Sequence, residues 1–229
     1  MNFDDAQNDD RRIILDVFGT VAQITRKKRP FNALLRAAFP GDSDSQRVLG
    51  ARFLTQPISL IQAFGLCAID VADPLRVALA QALDEEIGSI ELFEDAVFFI
   101  HAAQSRGHSV ALCSNLAEPY QRPVQSLLEA EGLSDIPFFS SFAIGSAKPD
   151  PRIYQFALDA LGVRAQDCLF IGDTIRADRD GPREHGMAAL LLDRASCGVD
   201  AQSVSSFREL AIQWGWADKP ARAPSTMKS

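Results

Sequence analysis

Five side chains in this 229-residue sequence stand where they could do chemistry: Asp16, Ser114, Lys148, Asp173 and Asp178. Asp16 ends the apolar run Ile13-Ile14-Leu15, and Gly19-Thr20 turns the chain just beyond it. That pattern reads as a buried strand whose carboxyl end delivers a carboxylate into a loop. In open α/β sheets ligands bind in the crevice beyond the carboxyl ends of the strands, where a carboxylate can attack an electrophile or hold a metal. Ser114-Asn115 closes a second apolar run, Val110 to Cys113, and there a hydroxyl and the next backbone N–H can donate to a phosphoryl oxygen. Lys148 precedes Pro149, which keeps it out of the helical region, and Asp150-Pro151 open a helix. Asp173 follows the run Cys168 to Ile171, with Asp178 five residues on. Each has an ordinary reading too: a turn former or N-cap, a Ser-Asn turn, a surface lysine, a pair of helix-capping carboxylates.

In order and spacing, Asp16 to Thr20, Ser114-Asn115, Lys148-Pro149-Asp150 and Gly172-Asp173-Thr174 through Asp178 resemble the four motifs of the haloacid dehalogenase superfamily, over about residues 12 to 193. Four coincident motifs are far more specific than one. Most members are phosphatases, so the resemblance implies a hydrolase with Asp16 as nucleophile, Ser114 and Lys148 as catalytic partners, and Ser114, Asn115, Lys148 and Thr20 around the substrate. It also implies a magnesium ion held by Asp16, the main-chain carbonyl of Phe18 and Asp173, with Asp178 as direct or indirect support. Three carboxylates in one cleft repel, at about 4 kcal/mol for each pair 4 Å apart in an effective dielectric near 20. Lys148 and a divalent cation together bring their charge to zero.

One residue departs from the pattern. Phosphatases of this superfamily carry a second Asp two places after the first, where this chain has Phe18. The metal-free dehalogenases have an aromatic residue there but replace the acid at Asp173 with Ser. Asp173 tips the reading toward a magnesium-dependent phosphatase of a small phosphorylated metabolite working through an aspartyl phosphate. The alternatives are a metal-independent 2-haloacid dehalogenase and a ligand-binding protein that has lost turnover.

Composition narrows the partners. A net charge of -7 argues against nucleic acid, whose phosphates call for clustered Lys and Arg. No apolar run reaches the length of a membrane span, and the opening residues are acidic where a signal peptide would be basic and then apolar, so a cytoplasmic protein with a small anionic substrate is expected. Cys67, Cys113, Cys168 and Cys197 form no CxxC and read as free thiols; His101, His108 and His185 are scattered. The run Arg26 to Arg29 reads as a solvated face.

The elements that must position these residues follow from periodicity. Strands are expected at 12–17, 109–113, 138–144, 168–171 and 188–192, with helices at 95–106, 119–131, from 150 onward, and 205–214. Between 21 and 90 there is no strong strand pattern, only helical spacing such as Phe31, Leu34, Leu35 and Ala38. The expected fold is α/β: a three-layer, Rossmann-like parallel sheet core at 11–20 and 91–216 with an inserted helical cap at 21–90. The first 10 residues and the tail 217–229 are expected to be disordered.

Overall fold

Six short strands lie parallel in one sheet of the computed structural model, which describes residues 12–70, 73–195 and 203–217. In chain order the strands are β1 (Arg12–Leu15), β2 (Ala22–Ile24), β3 (Ile90–Leu92), β4 (Val110–Ser114), β5 (Phe138–Ser140), β6 (Cys168–Gly172), β7 (Ala188–Leu192) and β8 (Ser203–Val204). The sheet runs β5-β4-β1-β6-β7-β8, which puts β1 in the middle between β4 and β6. The helices are α1 (Pro30–Ala38), α2 (Ser43–Thr55), α3 (Leu60–Leu66), α4 (Pro74–Ile87), α5 (Glu94–Gln104), α6 (Gln121–Ala130), α7 (Ser141–Ile144), α8 (Pro151–Leu161), α9 (Gly181–Glu184) and α10 (Phe207–Gln213).

Alternation along β1 divides the core. Ile13 and Leu15 face a layer that holds Phe99 of α5, Val124 of α6 and Leu210 of α10, whereas Ile14 faces Ile153, Tyr154 and Ala157 of α8. The result is the three-layer α/β arrangement expected. The first of these layers does not stop at the sheet: Leu15, Val17 and Val21 share one cluster with Phe31 and Leu34 of α1, Phe53 of α2 and Phe64 of α3.

Helix boundaries follow local chemistry. Pro30, Pro74 and Pro151 occupy first turns, and Asp73 and Asp150 cap α4 and α8 by accepting the N–H groups of Leu75 and Arg152. α8 stops at Gly162 in the left-handed conformation.

Three expectations need correction. The run Phe138 to Ile144 is not one strand: it divides into β5 and the short helix α7, where the Ser141 hydroxyl accepts the Leu116 N–H at 3.1 Å and the chain leaves the sheet. Residues 21–90 are not free of strand, because Ala22–Ile24 pairs antiparallel with Ile90–Leu92 and ties the two ends of the helical segment together. β8 extends the sheet beyond β7 and has no periodic signal at two residues. The terminal segments expected to be disordered lie outside the described residues, apart from Ala217.

Candidate active site

Three strand ends meet at one edge of the sheet. The N–H of Asp16, just past β1, donates to the Ile171 carbonyl of β6 at 2.9 Å, so the carboxylate is set by the central strands themselves. Beyond it the chain turns tightly: the Val17 carbonyl accepts N–H groups from Thr20, Val21 and Ala22. The Phe18 carbonyl receives no hydrogen bond among the described residues.

Ser114, at the end of β4, donates its hydroxyl to Asp16 Oδ1 at 3.0 Å. The buried Lys148 ammonium reaches Asp16 Oδ1 at 2.8 Å, Asp178 Oδ1 at 2.6 Å and the Cys113 carbonyl at 2.9 Å. An ammonium has three protons, so all are placed. Burial works against its charge, but Asp16 and Asp178 outweigh that and raise its pKa; Lys148 stays protonated. The Lys148–Pro149 peptide bond is cis.

The wide π-helical turn Ile175–Asp180 follows β6 and returns Asp178 to the cleft, where Oδ2 accepts the Thr174 N–H at 2.9 Å. The Tyr154 hydroxyl of α8 braces this turn by donating to the Ala177 carbonyl at 2.6 Å. Burial pushes the Asp178 carboxyl up to about 6, with Lys148 opposing. Asp173 lies at the exposed mouth, and partial desolvation, then the charge of Asp16, raises its pKa too. Burial drives the Cys113 thiol up to about 12, which removes it as a nucleophile at neutral pH. Cys67 and Cys168 are also free and buried; Cys197 lies outside the described residues.

Two glycines make room for the acids. A Cβ on Gly19, at φ +92°, would stand 2.1 Å from Asp173 Oδ2, and one on Gly172 would stand 2.4 Å from the Asp178 carboxyl carbon. Gly172 sits within β6 without a positive φ, and its use is the space it leaves for Asp178. Oxygens of Asp16, Asp173 and Asp178 all lie within 4.8 Å of one another. With one lysine among three carboxylates this donor set carries excess negative charge, and it suits a hard divalent cation with oxygen ligands. Both Asp178 oxygens are already engaged, so Asp16 and Asp173 are the freer donors.

Thr20 and Asn115 are placed differently from the other candidates. The Thr20 hydroxyl is buried with no hydrogen-bond partner among the described residues. Asn115 lines a cavity, but its amide holds the Lys148 main chain. Sequence reasoning missed Arg194, which donates to the Thr20 carbonyl at 2.8 Å, pairs with Asp95 at 3.0 Å and stacks its guanidinium 3.8 Å over Phe93. Its only signal is its place just beyond β7, at the same edge of the sheet. Glu86 was missed as well; it looks like an ordinary helix-end acid, yet it is buried and accepts the Tyr120 hydroxyl at 2.9 Å and the N–H groups of Lys28 and Arg29.

The half-buried ring of Phe18 borders two cavities. One, of about 360 Å³, is also lined by Asp173, Lys27 and Arg194. The other, of about 340 Å³, has Phe31, Phe53 and Tyr120 in its wall.

The family model for haloacid dehalogenase-like hydrolases matches residues 11–186. The chain belongs to that family. Among relatives of this hydrolase, Phosphatase MT3486 of Mycobacterium tuberculosis is 34% identical over 143 residues, covering 62% of this chain and 64% of that protein. (S)-2-haloacid dehalogenase 4A of Burkholderia cepacia is 30% identical over 132 residues, covering 50% and 56%. The match thus spans less than two thirds of either relative's length. The fold is similar to that of the HAD-hydrolase YfnB from Bacillus subtilis bound to magnesium, with a TM-score of 0.59 at 17% identity, covering 90% of this chain and 98% of that one. Among the described residues, no helix is long and apolar enough to cross a membrane.

Proposed function

We propose that this hydrolase is a magnesium-dependent phosphatase of a small phosphorylated metabolite, acting in the cytoplasm, with Asp16 as the nucleophile. The observation that carries the reading is Asp173 beside Asp16 and Asp178 with a single lysine to offset them. A third carboxylate in that position is a standing electrostatic cost unless a cation uses it. Asp16, Asp173 and the unengaged Phe18 carbonyl would hold magnesium, with Asp178 aligning Lys148. Bound there, the ion would offset the charge of the phosphoryl oxygens.

The chain's own residues supply the rest. Ser114 and Lys148 fix Asp16 through one oxygen, which orients the carboxylate toward the incoming phosphorus. Asp16 displaces the leaving oxygen, and water then cleaves the aspartyl phosphate. The helical segment 21–90 acts as the cap that covers the leaving group. A magnesium-supplemented screen over a panel of phosphate esters tests this reading; release of inorganic phosphate that EDTA abolishes supports it.

Phe18 favours a second reading, in which Asp16 displaces halide from a 2-haloacid without metal. Halide release in the presence of EDTA would establish that activity and displace the first.

A further inference from the structure

The 340 Å³ cavity beside Phe18 has a chemical character of its own. Its wall contains four rings that already pair at aromatic geometries: Phe18 with Tyr120 at 6.0 Å and 86°, Phe31 with Phe53 at 5.4 Å, and Phe31 with Tyr120 at 6.4 Å. Ile24, Leu35, Leu54, Leu116 and Ala117 complete the apolar lining. The polar groups on the wall are mostly spent. Glu86 is engaged by two backbone N–H groups and the Tyr120 hydroxyl, and the Asn115 amide is engaged by Lys148. Arg29 and Asn32 border the cavity from exposed positions. A polyhydroxylated group placed inside would exchange water for few partners, at about 1–3 kcal/mol for each hydroxyl left unpaired.

Asp16 and Lys148 do not line the cavity, but their immediate neighbours do. Phe18 lies two residues beyond Asp16, and Asn115 follows Ser114, which is hydrogen-bonded to Asp16. A dry apolar cavity of about 150 Å³ suffices for benzene, so this one has space for a substituted ring or two fused rings. Its aromatic edges and faces favour a flat π-system over an alkyl chain.

We infer that the organic part of the substrate is an aryl group, so that the enzyme hydrolyses aryl phosphate monoesters. This rests on the phosphatase reading and narrows it. Asp16 forms the bond to phosphorus while the phosphorus–aryl oxygen bond breaks, and the aryloxide leaves and takes a proton from solvent. Water then adds to phosphorus and restores the Asp16 carboxylate; one of its protons stays on the phosphate and the other returns to solution. An aryloxide leaves with little need of a proton donor, and position 18 has no donor to offer. The lining of the cavity and the residue at position 18 thus select the same leaving group.

The test uses the full chain with magnesium. By calorimetry, phenylphosphonate should bind on the order of 10- to 100-fold more tightly than methylphosphonate, as burial of one ring implies. In turnover, the ratio of kcat/KM for 1-naphthyl phosphate to that for acetyl phosphate should fall at least about tenfold in Leu54→Trp, which fills the cavity, and also in Leu54→Asp, which makes its wall polar. Because each ratio is taken within one protein, loss of folded material cancels. Equal affinity for the two phosphonates, or hydrolysis of acetyl phosphate with no preference for aryl over glycerol phosphate, overturns the inference alone. Failure to hydrolyse any phosphate, acetyl phosphate included, overturns the phosphatase reading and this inference with it.

Discussion

Asn115 and Lys148 grip each other through their amides: Asn115 Nδ2 donates to the Lys148 carbonyl and Asn115 Oδ1 accepts the Lys148 N–H, both at 2.7 Å. The ammonium that serves Asp16 is therefore aimed from its main chain by a residue 33 positions away. Asn115→Ala leaves a peptide N–H and C=O without partners, at about 1–3 kcal/mol for each group left unsatisfied. Vanadate inhibition should weaken about tenfold or more, with a lower Tm. Unchanged inhibition would show that Lys148 is held by other means.

Lys148 itself sits between Asp16 and Asp178. Removing it leaves two buried carboxylates unopposed, and breaking a buried pair in this way costs about 3–5 kcal/mol. Lys148→Ala should melt well below the natural protein in EDTA at pH 7.5. Magnesium should then restore more stability than it adds to the natural protein, because a competing cation is gone. A smaller magnesium response in the variant would mean that Lys148 organises the metal ligands instead of competing with the ion.

The acids make the metal response depend on pH. Burial raises the Asp178 pKa from 3.8 to about 6, so the protonated form is favoured by folding. Its contribution to stability is full below about 3.8 and is lost as pH rises through about 6. Magnesium, in place of those protons, should stabilise more at pH 7.5 than at pH 5.0. At a concentration near 100 times Kd it should add about 2.7 kcal/mol, or roughly 5–10 °C in Tm for a chain of this size. Asp173→Ala should remove most of that rise. Equal increments at both pH values, or an intact rise in Asp173→Ala, would contradict the assignment of ligands.

Gly19 is a sharper probe of the same geometry. In Gly19→Ala the new methyl collides with the Asp173 carboxylate and the backbone is strained at φ +92°. Phosphatase activity and the magnesium-induced Tm rise should fall together, far beyond the modest stability loss of a glycine replaced in a turn. A variant with full magnesium response would mean that Asp173 is free to move aside.

Phe18→Asp asks what the ring replaced. General acid–base help is typically worth about 10² to 10⁴ in rate, and a phenyl ring offers none. The natural protein should be slow on alkyl phosphates relative to nitrophenyl phosphate, and the variant should gain more on the alkyl esters. Equally fast turnover of both classes by the natural protein would reveal another proton donor.

Much of this site was legible because its residues close strong elements. Asp16, Ser114 and Asp173 end or follow apolar runs whose strand character is unambiguous, and Lys148 is marked by the proline after it. What stayed hidden depends on pairings across the fold. The Asn115–Lys148 clamp, the Arg194 contacts to Thr20 and Asp95, and the Glu86–Tyr120 hydrogen bond join positions 33 to 174 residues apart, and no local pattern announces them. β2, β3 and β8 have only two or three residues each, too few to show alternation. The 138–144 run was misread because a short apolar stretch has no periodicity with which to tell a strand from a strand that gives way to a helix.

The cluster that joins Leu15 and Val21 to Phe31, Phe53 and Phe64 bears on how this protein can be re-engineered. A segment that buries its rings against the strand that leads into Asp16 is not an interchangeable cassette. Transplanting the helices of a relative between residues 25 and 89 would leave Val17, Val21 and Tyr120 facing side chains of the wrong shape, and the resulting voids or clashes would fall on the turn that follows Asp16. A change of specificity is better sought one side chain at a time on the cavity wall.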